Sequence, residues 1–231
     1  MDSFDLAAAL HVLRPSEYTA ALIQSLLGMA RDVRGARALE IGSGSGVVLA
    51  ALIALGAASV CGIDSEDQAI QAGEAMMETV GAVAEFHRGH LWQPVGDRAF
   101  DLIVSNLPQF PTECHSFPGR LPSWSHGGHD GRRLLDPFLD GLAAHLAPGG
   151  RAIITHNAFV GLAETRRMVA RAGLRATIRR TVMLALPREK LAMMSPDIRR
   201  REEGRTIHTI GAYTFARMCI LDIGGARRMG R

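Results

Sequence analysis

The residues Glu40-Ile41-Gly42-Ser43-Gly44-Ser45-Gly46 set three glycines at alternate positions behind an acid. Glycines between a strand and a helix let a ligand lie against bare backbone, and the helix N-terminus there favours polar or anionic groups. A dinucleotide fingerprint, G-x-G-x-x-G, would put its third glycine at position 47. Val47 stands there, and the third glycine comes one residue early, at 46. Asp64 follows Cys61-Gly62-Ile63 at the end of the next apolar run, with Ser65 beside it. An acid at that place accepts hydrogen bonds from a ribose diol. An ordinary tight turn would account for a lone G-x-G. Three glycines, Glu40 and Asp64 in strand context instead predict a nucleoside-type ligand.

A second informative run is Asp101-Leu102-Ile103-Val104-Ser105-Asn106-Leu107-Pro108-Gln109, with Phe110 next. A strand-end Asn commonly caps its own turn. Beside a ligand-binding loop it can instead present an amide to a substrate. The histidines at 115, 126 and 129 lie farther on, near Cys114. Zinc needs four ligands at fixed spacing, and His126-x-x-His129 is flanked by glycines, so no metal is expected. His129 is a candidate to touch substrate, or to act as a base toward a hydroxyl. Trp124 and Met193-Met194 could line an apolar pocket, although methionine pairs more often fill core.

These residues need a scaffold, and the apolar pattern supplies one. The first 35 residues read as helices, with Pro15-Ser16-Glu17-Tyr18 as a start signal. Strands are predicted at 36–41, 58–63, 83–87, 100–105, 151–155, 174–184 and 213–220. Helices are predicted at 47–55, 67–80, 134–146 and 162–172, the third stopped by Pro148-Gly149-Gly150. Residues 106–130 form a long loop, the kind that serves as a lid, and 188–205 is a charged stretch. This alternation argues for a doubly wound α/β fold with a seven-stranded, mostly parallel sheet, the last strand antiparallel. The expected domains are a helical extension, 1–35, and a ligand-binding domain, 36–231.

The E-x-G-x-G-x-G form resembles the first motif of class I, S-adenosylmethionine-dependent methyltransferases. That resemblance implies that Glu40, Gly42, Gly44, Gly46, Asp64, Ser65 and His90 hold S-adenosylmethionine, leaving S-adenosylhomocysteine as product. His90 stands where relatives often place an Asp facing the adenine. The run ending in Asn106 and Pro108 is similar to the D-x-(apolar)3-N-P-P-(aromatic) motif of amino-group methyltransferases, with Leu107 and Gln109 as departures. It implies that Asn106 touches both donor and acceptor and orients a target NH2, with Pro108, Gln109 and Phe110 lining the acceptor side. Gly127-Gly128-His129-Asp130-Gly131 and Leu13-Arg14-Pro15-Ser16-Glu17-Tyr18-Thr19 resemble segments of release-factor glutamine methyltransferases. By that likeness Tyr18 and His129 join the substrate side. The resemblance covers about residues 13–156, and the N-terminal extension looks too short for that group's separate recognition domain.

Composition narrows the classes. With 47% hydrophobic residues the chain fills a core, so disorder is excluded. Three scattered cysteines and no signal-peptide pattern suit a cytoplasmic protein. The charge-free stretch 41–63 is broken by glycines at 42, 44, 46, 56 and 62, which argues against a membrane span. Residues 1–113 carry 6 basic against 14 acidic groups and residues 114–231 carry 20 against 9. Without interleaved aromatics the basic half reads as helix and strand surface rather than a nucleic-acid face. The expected chemistry is N-methylation of an amide, amine or planar ring nitrogen, with O- or C-methylation in small-molecule biosynthesis as the alternative. A non-catalytic binder of the donor and an NAD-binding oxidoreductase stay open. Of small-molecule, protein and nucleic-acid acceptors, the small molecule is preferred, and the oligomeric state is not specified.

Overall fold

Residues 14–113 and 126–225 are described by the computed structural model. In chain order the elements begin with helices α1 (Glu17–Leu27) and α2 (Ala30–Val33), strand β1 (Arg37–Ile41), helix α3 (Val47–Ala54) and strand β2 (Ser59–Asp64). Helix α4 (Asp67–Val80), β3 (Glu85–Arg88) and β4 (Phe100–Ser105) follow, then α5 (Leu135–His145), β5 (Leu146–Asn157) and α6 (Leu162–Arg171). The last part holds β6 (Arg175–Ala185), α7 (Arg188–Ala192), α8 (Pro196–Glu202), β7 (Ile207–Ile210) and β8 (Tyr213–Gly224).

The sheet order is β3-β2-β1-β4-β5-β8-β6, with β7 paired to β8. Strands β1 to β5 run parallel, while β8 is antiparallel to β5, β6 and β7. The doubly wound, mostly parallel sheet is thus as expected, but among the described residues it has eight strands rather than seven. The additional strand comes from 207–210, which periodicity alone left unassigned. Four residues are too few to display a period, and they become a strand only by closing a hairpin on β8. The charged stretch before it folds into α7 and α8. A second difference lies at Pro148-Gly149-Gly150. Pairing of β5 with β4 already begins at Leu146, and the register shifts between Phe100 and Leu102, so this tripeptide forms an irregularity within a strand.

Period-two alternation divides the core between the two sheet faces. Ala38, Val60, Leu102, Val104 and Ile153 pack on one side with Leu22 and Leu26 of α1 and Leu49 and Leu52 of α3. Leu39, Ile41, Ile63, Ile103 and Ile154 pack on the other with Phe138 and Leu142 of α5 and with Phe159. Among the described residues no helix is long and apolar enough to cross a membrane. The 41–63 stretch is strand end, helix and strand, as its glycines indicate.

Candidate active site

The carboxyl ends of β1, β2 and β4 meet at one cavity of about 510 Å³, within the size range of small-molecule sites. Open parallel sheets bind ligands at this edge because the turns that leave the strands splay apart there. Glu40, Gly42, Gly44, Asp64, Ser65, His90, Asn106 and Pro108 line it. Gly46 lies behind the loop. Its φ is +74°, and a Cβ there would come 3.0 Å from Gly73 Cα, so a side chain would both strain the turn and push α3 away from α4. Gly44, with φ +52°, has nothing within 4 Å of its missing Cβ, so the loop presents bare backbone to open space.

The two acids stand together at one end of the cavity. Glu40 is 2% exposed, and its Oε2 finds no hydrogen-bond partner among the described residues. Burial, then the charge of Asp64, raises the Glu40 carboxyl well above the usual carboxylate range. Asp64 accepts the Gly44 N–H at 2.9 Å and the Glu66 N–H at 3.1 Å, and burial raises its pKa too. A buried carboxylate oxygen without a partner is costly unless a donor or cation arrives. Glu40 therefore fits a ligand that brings positive charge and N–H groups against the glycine turn, and Asp64 fits hydroxyls. These residues suit a cationic nucleoside such as S-adenosylmethionine.

Asn106 follows the last paired residue of β4. Its Oδ1 accepts a hydrogen bond from Thr155 Oγ at 2.7 Å. Pro108 lines the cavity beside it, but the remaining expected substrate-side residues, Tyr18, Gln109, Phe110 and His129, do not. Gln109 is buried, its Nε2 donating to the Thr155 carbonyl at 2.8 Å and its Oε1 accepting the Asn157 N–H at 2.9 Å. The Tyr18 hydroxyl donates to Asn157 Oδ1 at 2.8 Å. Phe110 is buried edge-on to Phe159. His129 is exposed, its Nδ1 3.2 Å from Glu113 and its Nε2 3.2 Å from Asp197. Met194 is core and Met193 packs against it. Cys114, His115 and Trp124 lie outside the described residues.

Sequence reasoning missed part of the lining. Arg14, Ser16 and Thr19 reach the cavity from the N-terminal segment, and Leu91 and Arg133 from later loops. Only the first three stood in a noted motif. Cross-strand register also gathers Cys61, Glu85 and His87 within 4.8 Å of one another, but the Arg98 guanidinium already sits 2.8 Å from Glu85. A cation thus already occupies that cluster.

Comparison with known proteins agrees with this geometry. A family model described as Ribosomal protein L11 methyltransferase matches residues 18–108. A Methanocaldococcus jannaschii protein assigned by name to the protein N5-glutamine methyltransferases is 29% identical over 185 residues, which is 80% of this chain and 90% of that one. The release factor glutamine methyltransferase of Geobacter sulfurreducens is 32% identical over 170 residues, 70% of this chain. The chain spans only 58% of that enzyme's length. In structure it resembles ribosomal protein L11 methylase from Lactobacillus delbrueckii subsp. bulgaricus, with TM-score 0.57 and 20% identity over 92% of this chain and 81% of that one. A chain of the E. cuniculi complex that methylates a translation termination factor matches at TM-score 0.61 and 16% identity, over 92% and 98%.

These relatives correct the preference for a small-molecule acceptor. Their names specify glutamine methylation, on a release factor in the bacterial case. The altered Asn-Pro run and the short N-terminal segment, which had favoured a metabolite, carry no acceptor information of their own. Fold, donor-loop geometry and relatives together make the chain a class I, S-adenosylmethionine-dependent methyltransferase, similar in sequence to the glutamine-methylating group.

Proposed function

We propose that this protein methylates the side-chain amide nitrogen of a glutamine in a protein acceptor of the release-factor class. The observation that carries the reading is Asn106 on the wall of the cavity that also holds the glycine loop, Glu40 and Asp64. When bound, S-adenosylmethionine supplies an electrophilic methyl on a sulfonium that is already a good leaving group. Glu40 and the turn at Gly42 and Gly44 hold its charged end, Asp64 and Ser65 its ribose, and His90 lies toward its base. Asn106 Oδ1 accepts an N–H of the target amide and turns the nitrogen toward the methyl. Placement of this kind supplies most of the rate when the leaving group needs no help. The amide proton leaves with or after transfer, so no strong base is required in the site.

The division of the chain into a helical segment up to residue 35 and a methyl-transferring domain from 36 belongs to the same reading. Arg14, Pro15, Ser16 and Thr19 on the cavity wall make that segment a cover for the donor. The test uses unmethylated release factor, the donor and mass spectrometry of the digested product. A gain of one CH2 on a glutamine is expected from wild type. Asn106→Ala should lower turnover about 100-fold while leaving S-adenosylhomocysteine affinity within twofold. No gain on the release factor, or a methyl on another residue type, would reject the acceptor. Full turnover by the Asn106 variant would reject the role of that side chain.

A further inference from the structure

The parallel register between β4 and β5 ends with Ser105 opposite Ile154, so the next residues, Asn106 and Thr155, come side by side just past the last β4–β5 pair, with Thr155 still in β5. Thr155 is 1% exposed. Its hydroxyl donates to Asn106 Oδ1 at 2.7 Å, which leaves that oxygen one lone pair for a second donor. An Asn side chain beside an open cavity otherwise samples several rotamers, and its two-fold terminal torsion is broad. From the geometry we infer that Thr155 is a positioning residue: its hydroxyl fixes the amide of Asn106 in the orientation that receives the acceptor nitrogen. This rests on the reading of Asn106 given above.

Three further observations make Thr155 a rigid anchor. It is β-branched, so its χ1 is restricted on a strand. Its backbone pairs with Ile220 in the antiparallel ladder of β5 and β8. Its carbonyl accepts Gln109 Nε2 while Gln109 Oε1 accepts the Asn157 N–H, so one amide ties residue 109 to both ends of the tripeptide 155–157. The loop from 106 to 109 is thereby held at each end by β5, at Asn106 through a hydroxyl and at Gln109 through a side-chain amide. This also gives Gln109 a task, bracing the loop, at the position where the similar amino-methyltransferase motif carries an aromatic residue.

The experiment compares Thr155→Val, Thr155→Ser and Asn106→Ala with wild type in steady-state methylation of release factor. S-adenosylhomocysteine affinity and the Asn106 side-chain amide NMR signals are measured in the same proteins without acceptor. Valine keeps the shape and removes only the hydroxyl. For Thr155→Val, kcat should fall 10- to 100-fold, with KM for the release factor within threefold and S-adenosylhomocysteine affinity within twofold. The Asn106 amide signals should shift or broaden. Thr155→Ser should recover kcat to within threefold of wild type. Unchanged kcat and unchanged amide signals in Thr155→Val would overturn the proposal, as would a serine variant as slow as the valine one, which would point to packing of the methyl group. The two failures are separable. An active Asn106→Ala rejects the Asn106 reading itself, whereas an inactive Asn106→Ala beside a fully active Thr155→Val rejects only the role of Thr155.

Discussion

Glu40 concentrates the conflict between stability and binding at the scale of a single residue. Its side chain is buried, one oxygen lacks a partner, and burial with the nearby Asp64 charge raises its pKa. A carboxyl whose folded pKa is raised contributes its full stability below the unfolded value. That contribution is lost as pH rises through the folded value, because the native state must then hold a buried charge. Glu40→Gln keeps the shape and cannot ionise. Its melting temperature should exceed that of wild type by an amount that grows as pH rises above the usual carboxylate range. Affinity for S-adenosylmethionine should fall at least tenfold, in line with about 1.5–3 kcal/mol for a hydrogen bond to a charged group. Calorimetric titration and thermal scans from pH 4 to pH 8 check both, and a glutamine variant that binds the donor as wild type does removes Glu40 from the donor site.

At the scale of elements, the notable contact is where the acceptor loop meets α8. Ser195 N–H donates to the Pro111 carbonyl at 2.8 Å, and Ser195 Oγ donates to the His129 carbonyl at 2.6 Å. The His129 ring stands between Asp197 and Glu113, and Asp197 above all raises its pKa over the ordinary 6.5. The latch between loop and helix is therefore complete at pH below that ordinary value and weakens as pH rises through the raised one. A proton NMR titration should find His129 above 6.5, and Asp197→Asn should move it down. A His129 that titrates at or below 6.5 in wild type would contradict the ion pairing. Sequence reading placed His129 near substrate from its motif. The structure leaves it exposed and off the cavity wall, where α8, unassigned from the charge pattern, supplies its partner Asp197.

Over the whole molecule, stability comes from the two layers on either side of one sheet. Phe138 is fully buried and stacks 5.1 Å from Trp92, which in turn stacks on His145. Removing it should cost about 3–5 kcal/mol, read by urea unfolding, with donor affinity per folded molecule unchanged since Phe138 does not line the cavity. A loss below 1 kcal/mol would show that α5 packs far more loosely than its burial implies. The basic second half of the chain is partly engaged in holding the sheet together. Arg179 and Arg151 converge on the buried Asp222 at 2.8 and 3.4 Å. That accounts for Arg151 in β5 and Arg179 in β6 without an external anionic ligand.

Local sequence determined the strand-turn-helix at Glu40–Gly46, the acid at 64 and the mostly parallel sheet implied by alternating elements. Glycine spacing, strand-end acids and apolar periodicity all act within a few residues of one another. Asn106 was visible for the same reason, as the polar end of an apolar run. Tertiary structure alone decided what lies beside it. Thr155 is 49 residues away and meets Asn106 only because β4 and β5 pair in one register. The same pairing turned Gln109 from an expected acceptor contact into a brace on β5, and the β8 hairpin turned 207–210 into an eighth strand. Register and hairpin closure depend on the summed packing of distant segments, and no window of neighbouring residues contains that sum.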